Sequence, residues 1–292
     1  MPLVIKNLND LRNQYSILFC DVWGCVHNGI AAFKSADLAL TAFRKSGGIV
    51  VLLTNAPRPA KAVKRQLDKI GLSDGSYDHI VTAGDAALEF IKKNNLGKKI
   101  YHIGPAKDKS FFDNLFSTSG TFGFSLTPLQ KADFIVCTGL FNDQTETPEN
   151  YISIFTRAKA QKLSMICTNP DVFVDYGEKR LFCAGALALS YKEIGGQVYS
   201  FGKPFDEIYD FARNLLREKN VLINDTEILC IGDGIHTDIK GANNQKIHSL
   251  FIANGLEKEN LINEDGLLDE SKLEQFLKEK SEKPDFVIEN LK

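Results

Sequence analysis

Short apolar runs without polar alternation recur along the chain, and each stops at a polar residue or a glycine. Ile17–Cys20 stops at Asp21, Ile49–Leu53 at Thr54-Asn55, and Glu227–Ile231 at Gly232-Asp233-Gly234. Runs of this kind are strands buried on both faces, as in a parallel sheet. Between them the apolar spacing changes to a helical one. Lys34–Ser46 places Ala36, Leu38, Leu40, Ala42 and Phe43 at helical intervals and ends at Gly47-Gly48, a helix stop. Arg58–Ile70 is a second helix closed by Gly71, and Asn7–Tyr15 a short one before the first strand. The order β-α-β-α predicts a parallel sheet with right-handed crossovers.

A second series of the same kind occupies Asp78–Phe182. Its strands are Ile100–Ile103, Phe134–Cys137 and Ser164–Cys167, and its helices Gly84–Lys93, Ser110–Phe116 and Glu149–Gln161. The first style then resumes with a helix over Gly185–Ile194, a strand over Gln197–Phe201 and a helix over Phe205–Lys219. Beyond the Asp233 strand come a helix over Thr237–Asn244 and a strand over Ser249–Ile252. A charged stretch, Glu257–Lys283, reads as loop plus amphipathic surface helix, and Phe286–Ile288 as a last edge strand. No Gly/Ser-rich linker separates the series. The expected organisation is therefore one α/β sheet domain over 1–78 and 183–292, with a smaller α/β module inserted at 79–182.

Composition changes this picture little. The chain has 292 residues, 43% hydrophobic and 25% charged, with a formal net charge of -2, which gives no footing for nucleic acid or an anionic membrane. Met1–Asn13 carries Lys6, Asp10 and Arg12 and lacks the apolar core of a signal peptide, so a cytoplasmic location is expected. Six cysteines (Cys20, Cys25, Cys137, Cys167, Cys183, Cys230) form no C-x-x-C pair and read as reduced residues. Cys25, four residues past Asp21, is the one whose role the sequence leaves open.

The chemistry gathers at strand ends. In open parallel sheets ligands bind beyond the carboxyl ends of the strands, and these ends carry Asp21, Thr54-Asn55, Gly202-Lys203-Pro204 and Asp233, with Asp238 five residues later. Each has a plain structural alternative: a turn former for Asp233, a helix cap for Thr54-Asn55, a solvated turn for Lys203. Their common placement favours a joint role. Converging carboxylates become tolerable around a divalent cation, and oxygen ligands favour Mg²⁺. A lysine, a hydroxyl and a helix N-terminus complete a phosphate site. An aspartate facing it can attack phosphorus and form an acyl phosphate.

D-V-W-G at Asp21, T-N at Thr54, G-K-P at Lys203 and G-D-G-I-H-T-D from Gly232 to Asp238 resemble the four motifs of the haloacid dehalogenase superfamily. The insertion, with T-N-P-D at Thr168–Asp171, resembles the α/β cap of its subfamily IIA, which includes p-nitrophenyl, pyridoxal and sugar or nucleotide phosphatases. D-V-W-G-C-V-H-N-G is most similar to a bacterial group with D-x-W-G-x-x-H-x-G. The resemblance implies a Rossmann-like core with an inserted cap, and a Mg²⁺-dependent phosphohydrolase of a small phosphorylated metabolite. Asp21 would be the nucleophile and a metal ligand. The Trp23 backbone carbonyl and Asp233 would complete the metal site, with Asp238 in its first or second shell. Thr54, Asn55 and Lys203 would hold the phosphoryl group, with Lys203 also catalytic. Asn169 and Asp171 would serve as the substrate loop of the cap. Phe173, Tyr176 and Arg180 follow that loop and read as cap packing before substrate contact. Cap-to-cap homodimers occur among related proteins.

One departure stands out. Phosphatases of this kind usually carry a second Asp two residues after the nucleophile, and here that position is Trp23, which can neither give nor take the proton. Loss of a positioned acid/base costs ~10²–10⁴ in rate. His27 is a conceivable substitute, with a structural loop histidine as the plainer reading. Three other readings follow: a phosphometabolite-binding or regulatory protein that kept the cradle, a dehalogenase, and a dinucleotide-binding domain. The metal-type G-D-x(4)-D end and Lys203 oppose the dehalogenase. Thr237, standing where G-x-G-x-x-G needs its third glycine, opposes the dinucleotide site.

Overall fold

The computed structural model describes residues 1–113, 115–116, 123–176 and 179–292. In chain order the strands are β1 (Leu3–Val4), β2 (Ile17–Cys20), β3 (Ile49–Thr54), β4 (His79–Thr82), β5 (Lys99–Ile103), β6 (Ser125–Leu126), β7 (Phe134–Cys137) and β8 (Ser164–Cys167). They continue as β9 (Phe173–Tyr176), β10 (Lys179–Phe182), β11 (Gln197–Ser200), β12 (Ile228–Gly232), β13 (His248–Ile252) and β14 (Phe286–Ile288). The helices are α1 (Lys34–Lys45), α2 (Ala60–Lys69), α3 (Ala83–Lys93), α4 (Ile152–Ala160), α5 (Ala184–Glu193), α6 (Asp206–Glu218), α7 (Lys240–Gln245), α8 (Lys258–Leu261) and α9 (Glu270–Glu279). The helix expected over Ser110–Phe116 falls partly outside the described residues, and Ala106–Phe111 form a 3₁₀ helix. Among the described residues no helix is long and apolar enough to cross a membrane, and the six cysteines are buried and form no disulfide.

The contacts divide the chain into two units. The first comprises Met1–Thr54, Lys64–Val81 and Tyr209–Lys292, and the second Asn55–Val63 and Thr82–Ile208.

In the first unit the sheet runs β1-β14-β13-β12-β2-β3-β4. β2 is central, with Ile17 opposite both Ile49 and Ile228 in parallel pairing. All four of its residues are buried, which is what its unbroken apolar run requires. β14, expected at the edge, is covered by β1, whose Leu3 and Val4 pair with Phe286 and Val287. Two residues are too few to carry a period, so β1 left no pattern to read. Helix α9 packs Leu273, Phe276 and Leu277 against Phe251 and Val287, and Asp269 caps it by accepting from the Ser271 and Lys272 amides. Burying such a side chain stabilises by roughly 1.5–3 kcal/mol.

In the second unit a sheet runs β11-β8-β7-β5-β6, and β9 and β10 form an antiparallel pair. Ile135, Met165, Phe155, Leu187 and Tyr191 lie in its core. The Tyr191 hydroxyl is satisfied by donating to the Leu163 carbonyl at 2.6 Å. The strand over Gln197–Ser200, which the sequence groups with the first series, pairs in parallel with β8. The reason is local. The chain turns out of α5 through Gly195, at φ +86, and a Cβ at Gly196 would meet the Tyr191 ring. So short a turn returns the strand beside the sheet that α5 covers.

His102 on β5 is half-buried, and its Nε2 lies 2.9 Å from the Thr138 hydroxyl. Burial, with Lys109 adding to it, lowers its pKa from 6.5 to about 4. A depressed pKa means that the folded state holds fewer protons than the unfolded one. His102 therefore contributes its full stability above about pH 6.5 and loses it as the pH falls toward 4. The loss is on the order of 1–2 kcal/mol after allowing for solvent screening. Urea unfolding followed between pH 7 and 4 should show this slope, and His102→Phe should lessen it, leaving the part contributed by the likewise depressed His27.

Candidate active site

In the first unit, the Asp21 amide donates to the Ile231 carbonyl at 2.8 Å, carrying the β2–β12 pairing one residue beyond the strand. With Cys20 opposite Ile231, two neighbouring strands thus deliver Asp21 and Asp233 side by side at their carboxyl ends. Asp21, Cys25 and Asp233 each offer one ligand atom, and all of these lie within 4.8 Å of one another. The three are 8%, 2% and 3% exposed. The Cys25 Sγ donates to Asp21 Oδ2 at 3.8 Å. Burial first, then Asp233 and Asp21, push the Cys25 thiol well above its usual pKa, so in the absence of a cation it is protonated.

Two glycines make room for this group. Gly24 sits at φ +77, and a Cβ there would collide with the Asp233 carboxylate; a Cβ at Gly255 would do the same. The Leu256 amide donates to Asp233 Oδ2 at 3.0 Å, fixing that carboxylate from a segment with no motif to mark it. Asp238 lies outside the three-residue group. Its Oδ2 accepts from the Gly234 amide at 3.0 Å and the Thr237 hydroxyl at 3.4 Å, so it braces the turn that carries Asp233. Two buried carboxylates this close together fit a hard divalent cation; the thiol beside them is a soft donor. Thr54, at the end of β3, is buried.

Trp23 and His27 form their own contact in the Asp21 loop. Their rings meet edge to face with centroids 4.9 Å apart, and their backbones form a bridge. His27 is buried, its Nδ1 accepts from the Gly29 amide at 2.8 Å, and burial lowers its pKa from 6.5 to about 4. Near neutral pH it is an uncharged ring whose Nδ1 is occupied. These contacts tie the ring into the Asp21 loop.

In the second unit Asn55 is a tie between two loops. Its Nδ2 donates to Asp171 Oδ1 at 2.8 Å and to the Lys203 carbonyl at 3.1 Å, while its Oδ1 accepts from the Lys203 amide at 2.7 Å. Both donors and the acceptor are thereby used on protein groups. Lys203 is 3% exposed. Gly202 before it has φ +117, and a Cβ there would lie 2.6 Å from Asn55 Oδ1 and 2.8 Å from Pro170. The Asn169 Oδ1 accepts from the Asp171 amide at 3.0 Å, an Asx turn that shapes the Thr168–Asp171 loop. Thr168, the second Thr-Asn threonine, is buried and donates to the Cys137 carbonyl at 3.1 Å, a structural duty.

Two family models match the chain: one for haloacid dehalogenase-like hydrolases over residues 18–115, and one described as HAD-hydrolase-like over residues 200–292. A crystal structure of a haloacid dehalogenase-like family hydrolase from Brucella suis 1330 is 34% identical, covers 99% of this chain and 100% of its own, and superposes with a TM-score of 0.84. A possible sugar phosphatase of the same superfamily from Cytophaga hutchinsonii shares the fold at 21% identity, 99% and 98% coverage, and a TM-score of 0.79. A cardiolipin synthase (CMP-forming)/mitochondrial hydrolase fusion protein of Schizosaccharomyces pombe is 34% identical over 83 residues. That match takes in 25% of this chain and only 14% of the fusion protein's length.

If His27 acts only through the loop, His27→Ala should lower unfolding free energy by about 1–3 kcal/mol. It should leave the pH profile of any hydrolytic turnover unchanged in shape. Denaturant titration beside a pH–rate profile checks both.

Proposed function

Because the chain belongs to the haloacid dehalogenase-like hydrolases, with the fold of their subfamily IIA, we propose that it is a Mg²⁺-dependent phosphohydrolase of a small phosphorylated metabolite. The observation that carries this reading is the buried Asp21–Asp233 pair at the carboxyl ends of the two central strands. Asp21 attacks phosphorus, the bond to the leaving oxygen breaks, and an aspartyl phosphate forms. Water then attacks that phosphorus, releasing inorganic phosphate and restoring the carboxylate. Asp21, Asp233 and the Trp23 carbonyl would hold Mg²⁺, with Asp238 steadying Asp233. The cation would supply neutralisation of phosphoryl charge.

Lys203 and Thr54 orient and neutralise the phosphoryl oxygens in this scheme. Asn55, fully engaged with Lys203 and Asp171, acts as a positioning residue for the Gly202–Pro204 turn. The inserted module over 79–182 selects the substrate, with the loop bearing Asn169 and Asp171 as its reader. Trp23 supplies no proton to the leaving oxygen. Substrates whose leaving groups need none, such as acyl and aryl phosphates, should be turned over best.

The same Trp23 favours a second reading, a protein that binds a phosphorylated metabolite without appreciable turnover. Saturable binding of such a compound with no phosphate release from folded, Mg²⁺-loaded protein would select it.

Two variants test the enzyme reading. Asp21→Asn should cut acetyl phosphate and p-nitrophenyl phosphate hydrolysis below roughly 10⁻³ of the parent rate; unaltered activity would sink the mechanism. Trp23→Asp should raise hydrolysis of alkyl phosphates by ~10² or more by restoring a general acid. Acetyl phosphate, with its good leaving group, should gain much less. Phosphate release assays on both substrates give the comparison.

A further inference from the structure

We infer that Cys25 makes this metal site a mixed oxygen–sulfur site that binds a borderline cation such as Zn²⁺ or Co²⁺ in competition with Mg²⁺. The inference deepens the proposed function, resting on the same Asp21–Asp233 pair, and concerns which cation that pair holds.

Three features of the chain support it. The first is spacing. Zn–S and Zn–O bonds of roughly 2.3 and 2.0 Å at a tetrahedral angle separate sulfur from oxygen by about 3.5 Å. Cys25 Sγ and Asp21 Oδ2 lie 3.8 Å apart, so a shared cation needs a shift of only a few tenths of an ångström. The second is convergence: the Asp233 oxygen completes a set within 4.8 Å in which every side chain is buried. The third is fixity. Glycine at 24 and 255 lets the backbone close on Asp233, where a Cβ would strike the carboxylate, and the Leu256 amide donates to it at 3.0 Å, so this ligand is held in place.

The donor set then sets the preference. Asp21 and Asp233 alone are hard ligands suited to Mg²⁺, which keeps an octahedral oxygen shell. A thiolate adds nothing for Mg²⁺ and much for a softer ion, and divalent affinity rises along the first transition row toward copper and zinc. Binding places the cation between sulfur and the two carboxylates. The Cys25 proton leaves to solvent, and the metal–sulfur bond replaces the S–H donation to Asp21. A cation held by sulfur and the two carboxylates takes the place of Mg²⁺, so Zn²⁺ should oppose the Mg²⁺-supported reaction.

The test is a Co²⁺ titration of the full chain after metal removal with a chelator, followed by absorbance. The expected result is a thiolate-to-cobalt charge-transfer band in the near ultraviolet that grows to one equivalent and is bleached by Zn²⁺. Cys25→Ser, and Cys25→Val as a better-packed second variant, should lose the band and weaken Co²⁺ roughly tenfold or more. Cys20→Ala should keep it, because Cys20 donates to the Asp21 backbone carbonyl and is not among the three converging ligand groups. Co²⁺ bound without the band, no Co²⁺ bound at all, or a band that survives both Cys25 variants would each overturn the inference. None of these readouts depends on turnover. If Asp21→Asn retains full phosphatase activity, the functional reading falls while the cobalt spectrum still decides the role of Cys25.

Discussion

The pairing of β2 with β12 is the constraint from which the site follows. It runs one hydrogen bond past the strand, to the Asp21 amide, and so two carboxylates are delivered to one buried corner. Like charges that close and that dry repel strongly. The surrounding chain yields space and donors to them. Glycine stands at the two positions where a Cβ would strike Asp233, amides from Gly234 and Leu256 fix Asp238 and Asp233, and the Cys25 thiol stays protonated. A corner built this way costs stability unless a cation shares it, which is the usual signature of a site kept for chemistry.

Much of this was legible beforehand, for identifiable reasons. β2, β3 and β12 are buried on both faces, so their unbroken apolar runs stood out, and the polar residue ending each run was necessarily at the sheet's carboxyl edge. Asp21, Thr54 and Asp233 could be placed on that ground alone. What escaped was what periodicity cannot encode. β1 is two residues long, and its partner lies at the far end of the chain. β11 carries the same kind of pattern as the first sheet's strands, and only the tight Gly195-Gly196 turn assigns it to the other. Gly255 and Leu256 follow no motif, yet they shape the Asp233 carboxylate.

Individual side chains were harder to read than strands. Asn55 reads with Thr54 as a residue that holds phosphate, and its three hydrogen bonds, to Asp171 and Lys203, leave no trace in the sequence. Asp238, read as lying in the first or second shell of a metal, accepts from the Gly234 amide and the Thr237 hydroxyl, contacts that spacing alone does not foretell. In both cases spacing identified the neighbourhood, and the hydrogen bonds emerged only with the fold. Cys25 is the reverse. It sat unexplained four residues after Asp21, and only the turn at Gly24 folds its sulfur back onto the carboxylate.

The discontinuity of the first unit has a consequence for how the protein is made. The second unit is nearly continuous in sequence, so it can collapse while the ribosome is still at work. β2 must wait for β12, which emerges about two hundred residues later. Until then one apolar flank of the nascent sheet's central strand stays unpaired, a surface that chaperones recognise. The Asp21–Asp233 corner is thus among the last features to form, and no half-made chain can carry it.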